Sequence, residues 1–163
     1  MLRRFNIRVY GLLINENDQV LLSDELIKGK QTTKFPGGGL ELGEGTVQCI
    51  IREMKEECKV DVTVLEHFYT TDFFVQSEFD EDSQILSIYY LLSCPQWQSI
   101  ATSSKKFDFV VKPGLDAESF RWVDVRALEE EQDILLPIDK VVVELLKAQF
   151  PKVGFKIPNE TRL

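Results

Sequence analysis

The residues with the clearest chemistry in this sequence lie in one short segment that has the apolar spacing of a helix. Within it, Glu53, Glu56 and Glu57 follow one another closely. At about 100° per residue, their side chains share one face of a helix. Each like-charge pair three or four residues apart costs a helix roughly 0.2–0.5 kcal/mol unless a cation neutralises it. Such a face is typical of a solvated helix, and it also suits a divalent cation.

A glycine-rich segment leads directly into this helix. It contains Gly37, Gly38 and Gly39, and it ends near the carboxylate of Glu44. A turn at this place brings backbone carbonyl oxygens close to the glutamate face. Hard oxygen ligands of these two kinds are the ones that Mg²⁺ and Mn²⁺ prefer. Arg52 can form a bidentate pair with Glu44 and so fix the loop onto the helix.

The stretch from Gly38 to Val60 resembles the Nudix box, whose pattern is GX5EX7REUXEEXGU with U a bulky apolar residue. The flanks are also similar to the family, since Phe35-Pro36-Gly37 resembles its usual lead-in and Arg121-Trp122-Val123 a common late strand. Lys59 departs from the pattern, which has glycine at the left-handed end of the helix. A lysine in that conformation costs about 1 kcal/mol, and the alternative is a helix end of a different geometry. The matching residues are Gly38, Glu44, Arg52, Glu53, Met54, Glu56, Glu57 and Val60.

The resemblance implies an enzyme that hydrolyses a phosphoanhydride bond with Mg²⁺ or Mn²⁺. Its substrate would be a nucleoside diphosphate linked to another group, or a nucleoside triphosphate. A metal ion polarises a phosphoryl oxygen and lowers the pKa of the attacking water. By resemblance, the metal ligands are Glu53, Glu56, Glu57 and a backbone carbonyl near Gly38.

The resemblance also implies structural roles for Glu44 and Arg52, and it leaves the general base open. Glu56 can serve through a bound water. A carboxylate outside the box is the alternative, and Glu118, just before a late strand, is our preferred candidate of that kind. The catalytic set is therefore Glu53, Glu56 and Glu118, and the substrate-binding residues stay unassigned.

The order of strand-like and helix-like segments predicts an α/β or α+β fold. The resemblance implies the Nudix fold, a mixed β-sheet sandwiched between helices. We expect a single domain over residues 1–150 and a loosely ordered tail over 151–163. The predicted elements are a hairpin of strands 8–14 and 19–22, a polar loop over 23–33, a helix over 46–58, strands over 60–65, 68–75, 85–92 and 120–125, and a closing helix from Pro137.

Composition limits the partners. The 163 residues include 19 Lys and Arg against 27 Asp and Glu, a net charge of −8. This excess argues against a broad electrostatic contact with a nucleic acid polymer or an anionic membrane. Cys49, Cys58 and Cys94 lack the spacing of a disulfide framework or zinc site, and no apolar run is long enough to span a membrane. We expect a cytoplasmic protein that binds a small nucleotide, with a homodimer as the assembly common in the family.

Two other functions remain open at this point. The first is a Nudix-fold sensor or regulatory module that binds a nucleotide without efficient turnover, although such modules usually lose box carboxylates that this chain keeps. The second is hydrolysis at an RNA end, against which the acidic balance and the lack of a basic tract count.

Overall fold

The computed structural model describes residues 2–78, 80–112, 114–130 and 136–149. The helix predicted over 46–58 is confirmed at both ends, and the closing helix begins at Pro137 as predicted. The elements are strands β1 (Arg4–Leu13), β2 (Gln19–Ile27), β3 (Lys30–Lys34), β4 (Gly37–Gly39), β5 (Thr63–Thr70), β6 (Ser83–Ser93) and β7 (Ala117–Asp124), and helices α1 (Thr46–Cys58) and α2 (Pro137–Gln149), with 3₁₀ turns at Trp97–Ser99 and Val125–Glu130.

The strands form two sheets. The first is mixed and has the order β4-β1-β6-β5, in which β1 and β6 run parallel and the outer strands are antiparallel to their neighbours. The second has the order β3-β2-β7 and is antiparallel throughout. Since a parallel pair needs a long crossover, the chain between β1 and β6 has room for β2 to β5 and α1.

Each helix covers a separate buried cluster. Alternate residues of β1 point to opposite sides, as the period of a strand requires. Val9 and Leu13 join Ile50 and Met54 of α1, whereas Tyr10 lies in the cluster that α2 completes. The sheets are therefore sandwiched between the two helices, and the predicted α+β fold class is confirmed.

The predicted hairpin is wrong. A turn does follow β1, because the backbone N–H of Asn15 donates to the Gln19 carbonyl and the Asn15 side chain accepts from the N–H of Asn17. Beyond it, however, only an isolated bridge between Ile14 and Val20 joins the two strands. β1 and β2 then enter different sheets, where partners distant in sequence supply their hydrogen bonds.

Two other predicted elements also differ. The polar loop over 23–33 is instead the second half of β2 and most of β3, a pair joined by a turn at Lys28 and Gly29. The predicted strands 60–65 and 68–75 correspond to the single strand β5, whose pairing with β6 shifts register twice. The predicted tail over 151–163 lies outside the described residues. No helix in the described ranges is long and apolar enough to cross a membrane.

Candidate active site

Helix α1 is divided into an apolar and a carboxylate side. Cys49, Ile50, Met54 and Cys58 are buried against the first sheet. At its start, Gln48 accepts a hydrogen bond from the backbone N–H of Gly45 at 2.8 Å. This packing fixes α1 on the sheet, so that Glu53 and Glu57 are directed towards β4.

The helix ends at Lys59, which adopts the left-handed conformation with φ 61° and ψ 25°. The departure from the family pattern therefore keeps the backbone turn that a glycine would make, at a cost of about 1 kcal/mol. The Lys59 ammonium donates to the Glu56 carbonyl at 2.6 Å and satisfies one of the free carbonyls at the helix end. The preceding glutamates keep helical geometry.

Strand β4 brings the glycines against the carboxylate of Glu53. A Cβ at Gly38 would collide with both carboxylate oxygens of Glu53, and a Cβ at Gly37 would collide with the backbone of Val9. Gly37 also has φ +135°, which L side chains rarely adopt. Glycine is thus required at position 37, where backbone fills the space, whereas a side chain at position 38 would have to displace the Glu53 carboxylate.

Arg52 ties the loop after β4 to the helix. Its guanidinium donates to both oxygens of Glu44, at 2.7 and 3.1 Å, and to the Gly39 carbonyl at 3.2 Å. It also donates to Glu53 at 2.9 Å. The hydrogen bonds from Arg52 lower the pKa of Glu44 to about 2. Arg52 thereby joins the loop at Glu44, the helix at Glu53 and strand β4 at Gly39.

A cavity of about 440 Å³, the carboxylate cavity, opens beside β4. Glu53 and Glu57 of α1 line it together with Glu118 of β7, so the cavity joins residues from both sheets. The backbone N–H of Gly37 donates to Glu57 at 3.3 Å. Burial, with further contributions from the charges of Glu118 and Glu53, raises the pKa of Glu57 to about 8. A group of carboxylates at this charge density is suited to binding a cation.

Glu25 and Glu118 face each other across the β2–β7 ladder on the far wall of this cavity. Like charges directly opposite destabilise a sheet unless they are compensated. Here the Ser23 hydroxyl lies 2.7 Å from Glu118 and 3.0 Å from Glu25. Lys34 forms a buried ion pair with Glu25 at 2.8 Å and donates to the Gly37 carbonyl at 3.0 Å. Burial raises the pKa of Glu118, and the charge of Glu25 adds to this effect.

A family model described as NUDIX domain matches residues 4–146. The chain belongs to the Nudix family. The predicted family is therefore confirmed, and so is the prediction of an enzyme at that level. The Nudix family generally uses divalent metal ions such as Mg²⁺ or Mn²⁺.

Two curated relatives cover most of this Nudix chain. An RNA pyrophosphohydrolase of Legionella pneumophila (strain Corby) is 27% identical over an alignment of 157 residues, and the match covers 90% of this chain and 84% of that protein. An 8-oxo-dGTP diphosphatase of Escherichia coli (strain K12) is 26% identical over 113 residues, 68% of this chain and 83% of that protein.

Solved structures of the same fold superpose over almost the whole chain. A Nudix hydrolase from Nitrosomonas europaea gives a TM-score of 0.65 at 18% identity, covering 89% of this chain and 90% of the other. The MutT protein from Methanosarcina mazei Go1 gives 0.62 at 16% identity, covering 91% and 94%. These similarities show the fold.

The third glutamate of the box, Glu56, does not line the carboxylate cavity. Its side chain is 59% exposed and forms an ion pair with Arg52 at 3.3 Å. Accordingly, no group of three Asp, Glu, His or Cys side chains in the described part of the chain is already arranged to hold a metal ion. Glu56 would have to rotate away from Arg52 to join Glu53 and Glu57.

The donor set nevertheless fits Mg²⁺ or Mn²⁺. Glu53 and Glu57 are carboxylates one helical turn apart, and the space beside Gly38 admits the Glu53 carboxylate and leaves the β4 backbone next to it. Hard oxygen donors are the preferred ligands of these ions.

Among the residues of the site that the sequence did not predict are Arg8, Glu25 and Lys34, all of which line the carboxylate cavity. Glu25 lies in the segment 23–33 predicted as a loop, and Lys34 follows it directly. One signal was present, because the alternation of β2 continues from Leu21 through Ser23 to Glu25. A polar segment of this kind can be a loop, but it can also be a strand whose inward polar side chains line a cavity.

A second cavity of about 380 Å³, the inner cavity, adjoins the first. Both cavities are lined by Arg8, Ile27 and Lys34. The inner cavity is mainly apolar and aromatic, with walls from Tyr10 and Tyr89, and it carries polar side chains such as Asn6 and Gln76. A concave, largely apolar space with a few polar groups is the usual form of a small-molecule site.

Proposed function

We propose that this Nudix protein hydrolyses a phosphoanhydride bond of a small nucleotide with the help of Mg²⁺ or Mn²⁺. The observation that carries the proposal is the meeting of Glu53, Glu57 and Glu118 in one cavity beside β4. The substrate is a nucleoside triphosphate or a nucleoside diphosphate linked to another group. The named activities of the curated relatives, a pyrophosphohydrolase and a diphosphatase, belong to the same reaction class.

Glu53, Glu56 and Glu57 are the proposed metal ligands, together with a backbone carbonyl near Gly38. Glu53 and Glu57 already line the cavity. Glu56 would join them by a side-chain rotation that breaks its ion pair with Arg52. The bound ion would supply Lewis-acid polarisation of a phosphoryl oxygen and a more acidic water. Glu44 and Arg52 act by holding the loop against α1, as their paired hydrogen bonds support.

Glu118 is the proposed general base, in preference to Glu56. Glu118 lies on the cavity wall, whereas the Glu56 carboxylate is directed to Arg52 and solvent. A base must reach the proton that it removes from the attacking water. The Ser23 hydroxyl, 2.7 Å from Glu118, holds the carboxylate in place. Glu53 belongs to the catalytic set as a ligand that orients the reacting groups.

A substrate screen with Mg²⁺ and with Mn²⁺ tests the proposal. The panel consists of nucleoside triphosphates, nucleotide sugars and dinucleoside polyphosphates, with release of phosphate or pyrophosphate as the readout. We expect turnover of at least one class, its loss with a chelator, and its loss in Glu57→Gln. Full turnover in both Glu56→Gln and Glu57→Gln would contradict the ligand assignment. Tight binding without hydrolysis of any compound would favour the sensor module instead.

The RNA 5′ end is a second candidate substrate. It is favoured by the 27% identity to a protein named RNA pyrophosphohydrolase over 90% of this chain. The net charge of −8 weighs against it, because a polyanionic chain is repelled beyond its terminal phosphates. Turnover of a 5′-triphosphorylated oligonucleotide compared with the matching nucleoside triphosphate separates the two. A higher kcat/KM for the oligonucleotide would replace the small-nucleotide proposal.

We also propose that the protein works in the cytoplasm and retain the homodimer as a prediction. Cys49, Cys58 and Cys94 are buried free thiols, which suits a reducing compartment. Sedimentation velocity of the purified chain measures the assembly directly, and a single species at the mass of one chain would contradict the dimer.

A further inference from the structure

Arg8 lies where the carboxylate cavity and the inner cavity meet, and its side chain lines both. It belongs to β1 and is paired across the ladder with Gly39 of β4. A ligand that occupies both cavities must therefore pass Arg8. In a nucleotide, the group between the nucleoside and the reacting anhydride is the first phosphate.

The guanidinium of Arg8 is held by one contact and keeps other donors free. Its Nε donates to the Tyr10 hydroxyl at 3.2 Å, and its Cζ lies 5.8 Å from the centre of the Tyr10 ring. The two Nη groups form no hydrogen bond or ion pair with any residue in the described ranges. An arginine side chain has five N–H donors in a planar fork, so Arg8 has several left for a ligand.

Lys34, the other cation at this junction, is already engaged. It forms the buried ion pair with Glu25 and donates to the Gly37 carbonyl. Its ammonium also lies 5.3 Å from the centre of the Tyr10 ring. Lys34 is thus ion-paired with a carboxylate, whereas the Nη groups of Arg8 form no ion pair in the described ranges and are near only the more distant charges of Glu25 and Glu53.

We propose that Arg8 binds the phosphate that links the nucleoside to the reacting anhydride. The nucleoside then occupies the inner cavity and the remaining phosphates reach the carboxylate cavity. A planar fork with two free NH₂ groups matches two oxygens of one phosphate. This proposal rests on the proposed function. It adds to that function a residue that binds phosphate directly, which a carboxylate of the box cannot do.

A comparison of product binding tests this assignment without turnover. The probes are AMP, GMP, CMP and UMP and their four parent nucleosides, titrated in Mg²⁺ by calorimetry. None of them contains an anhydride bond, so the readout is affinity alone. We expect at least one monophosphate to bind the wild type about ten- to hundred-fold more tightly than its nucleoside, as a hydrogen-bonded charge pair would give.

Variants of Arg8 show whether this residue supplies the difference. Arg8→Gln should bring the monophosphate to the affinity of the nucleoside and leave the nucleoside unchanged. Arg8→Lys should keep part of the difference, because a point charge replaces the fork, and it serves as the test if Arg8→Gln unfolds. Arg3→Gln is the matched control, since Arg3 is 76% exposed and lies outside both cavities. It should bind like the wild type.

Several outcomes overturn the proposal. They are equal affinity of wild type for monophosphates and nucleosides, an unchanged difference in both Arg8 variants, and no measurable binding of any of the eight probes. Failure of the proposed function has a different signature, namely no hydrolysis in the substrate screen. If the enzyme hydrolyses nucleotides but the Arg8 variants lose no affinity for phosphate, the proposed function stands and the assignment of Arg8 is wrong.

Discussion

The carboxylate of Glu53 occupies the space that a side chain at Gly38 would fill. Gly38 is paired with Val9 across the β1–β4 ladder, so its backbone cannot withdraw without breaking that ladder. Glu53 is buried and is held from the other side by Arg52 at 2.9 Å. The position of the proposed ligand is therefore defined by the absence of a methyl group as much as by its own hydrogen bond.

Gly38→Ala should expel the Glu53 carboxylate from its place. The new Cβ would collide with the carboxylate, which must move away from β4. We expect Mn²⁺ binding to weaken roughly 10–100-fold, as for loss of a positioning group around a metal ligand, with a corresponding loss of turnover. Mn²⁺ titration followed by electron paramagnetic resonance measures the affinity.

Gly45→Ala is the matched control for this substitution. Gly45 belongs to the same segment, has φ −87°, and would bring its Cβ no closer than 3.4 Å to a neighbouring atom. It should retain metal affinity and activity. If Gly38→Ala binds Mn²⁺ as tightly as Gly45→Ala does, Glu53 is not positioned by the space at Gly38.

Glu57→Gln and Glu118→Gln should separate metal binding from proton transfer. Glu57→Gln removes a proposed ligand and should weaken Mn²⁺ binding. Glu118→Gln keeps the contact with Ser23 but cannot accept the proton, so we expect kcat to fall roughly 10²–10⁴-fold while most of the metal affinity remains. Steady-state kinetics and Mn²⁺ titration of each variant measure the two effects.

Glu66→Gln provides the baseline for this pair, since Glu66 is exposed on β5. The alternative base gives the opposite ranking. If Glu56→Gln loses kcat with intact Mn²⁺ affinity, and Glu118→Gln behaves like Glu66→Gln, then Glu56 is the base and Glu118 contributes only to the wall of the cavity.

The parts of this site that are local in sequence could be predicted. The apolar period of α1 and the spacing of the glutamates depend only on residues within a few turns, and the helix has the predicted ends. The glycine segment was also readable, because it directly precedes α1. The helix and its carboxylate face could therefore be predicted from local periodicity, and the glycine segment from its composition and its place before α1.

The far wall of the cavity could not be predicted in the same way. Ser23 and Glu118 are 95 residues apart in the sequence, and only the β2–β7 ladder brings them together. Lys34 lies in β3, whose polar composition resembles a loop, and its ion pair with Glu25 makes burial possible. Polar strands of this kind are stabilised by their neighbours in the sheet. Those neighbours are distant in sequence, so a short stretch of sequence does not reveal the strand.

Asp139 should make stability depend on pH. It is fully buried at the start of α2, where Tyr89 donates to it at 2.6 Å. Burial raises the pKa of Asp139 from the ordinary 3.8 to about 6. The hydrogen bond from Tyr89 and the charge of Lys34 oppose this shift, whereas the charge of Glu25 adds to it. The folded state therefore binds this proton more tightly than the unfolded state. Its contribution to stability is greatest below pH 4 and is lost as the pH rises towards 6.

Asp139→Asn should remove this dependence. Relative to wild type, the variant should gain free energy of unfolding between pH 4 and pH 6 by up to about 3 kcal/mol and then stay level. Urea denaturation at several pH values measures the difference. Asp61→Asn serves as control, because that carboxylate is 82% exposed. A constant difference between wild type and Asp139→Asn across the range would show that Asp139 titrates normally.

Asp24 and Arg121 form a buried ion pair that joins β2 to β7. The guanidinium donates to the carboxylate at 2.6 and 3.1 Å, and the Asp24 side chain has no exposed surface. Thr33 of β3 donates to Asp24 at 2.6 Å, and so does the backbone N–H of Phe107 at 3.3 Å. Asp24 thus links all three strands of the second sheet with the segment that precedes β7.

Arg121→Met should therefore be strongly destabilising. It leaves Asp24 buried without its cation, and loss of one partner of such a pair costs about 3–5 kcal/mol. Adding Asp24→Asn should recover part of this free energy, because it removes the uncompensated charge while Thr33 can still donate. Arg126→Met breaks an exposed pair with Asp124 and should cost below about 1 kcal/mol. Urea denaturation measures all three. Equal costs for Arg121→Met and Arg126→Met, or no recovery in the double variant, would contradict the role assigned to the buried pair.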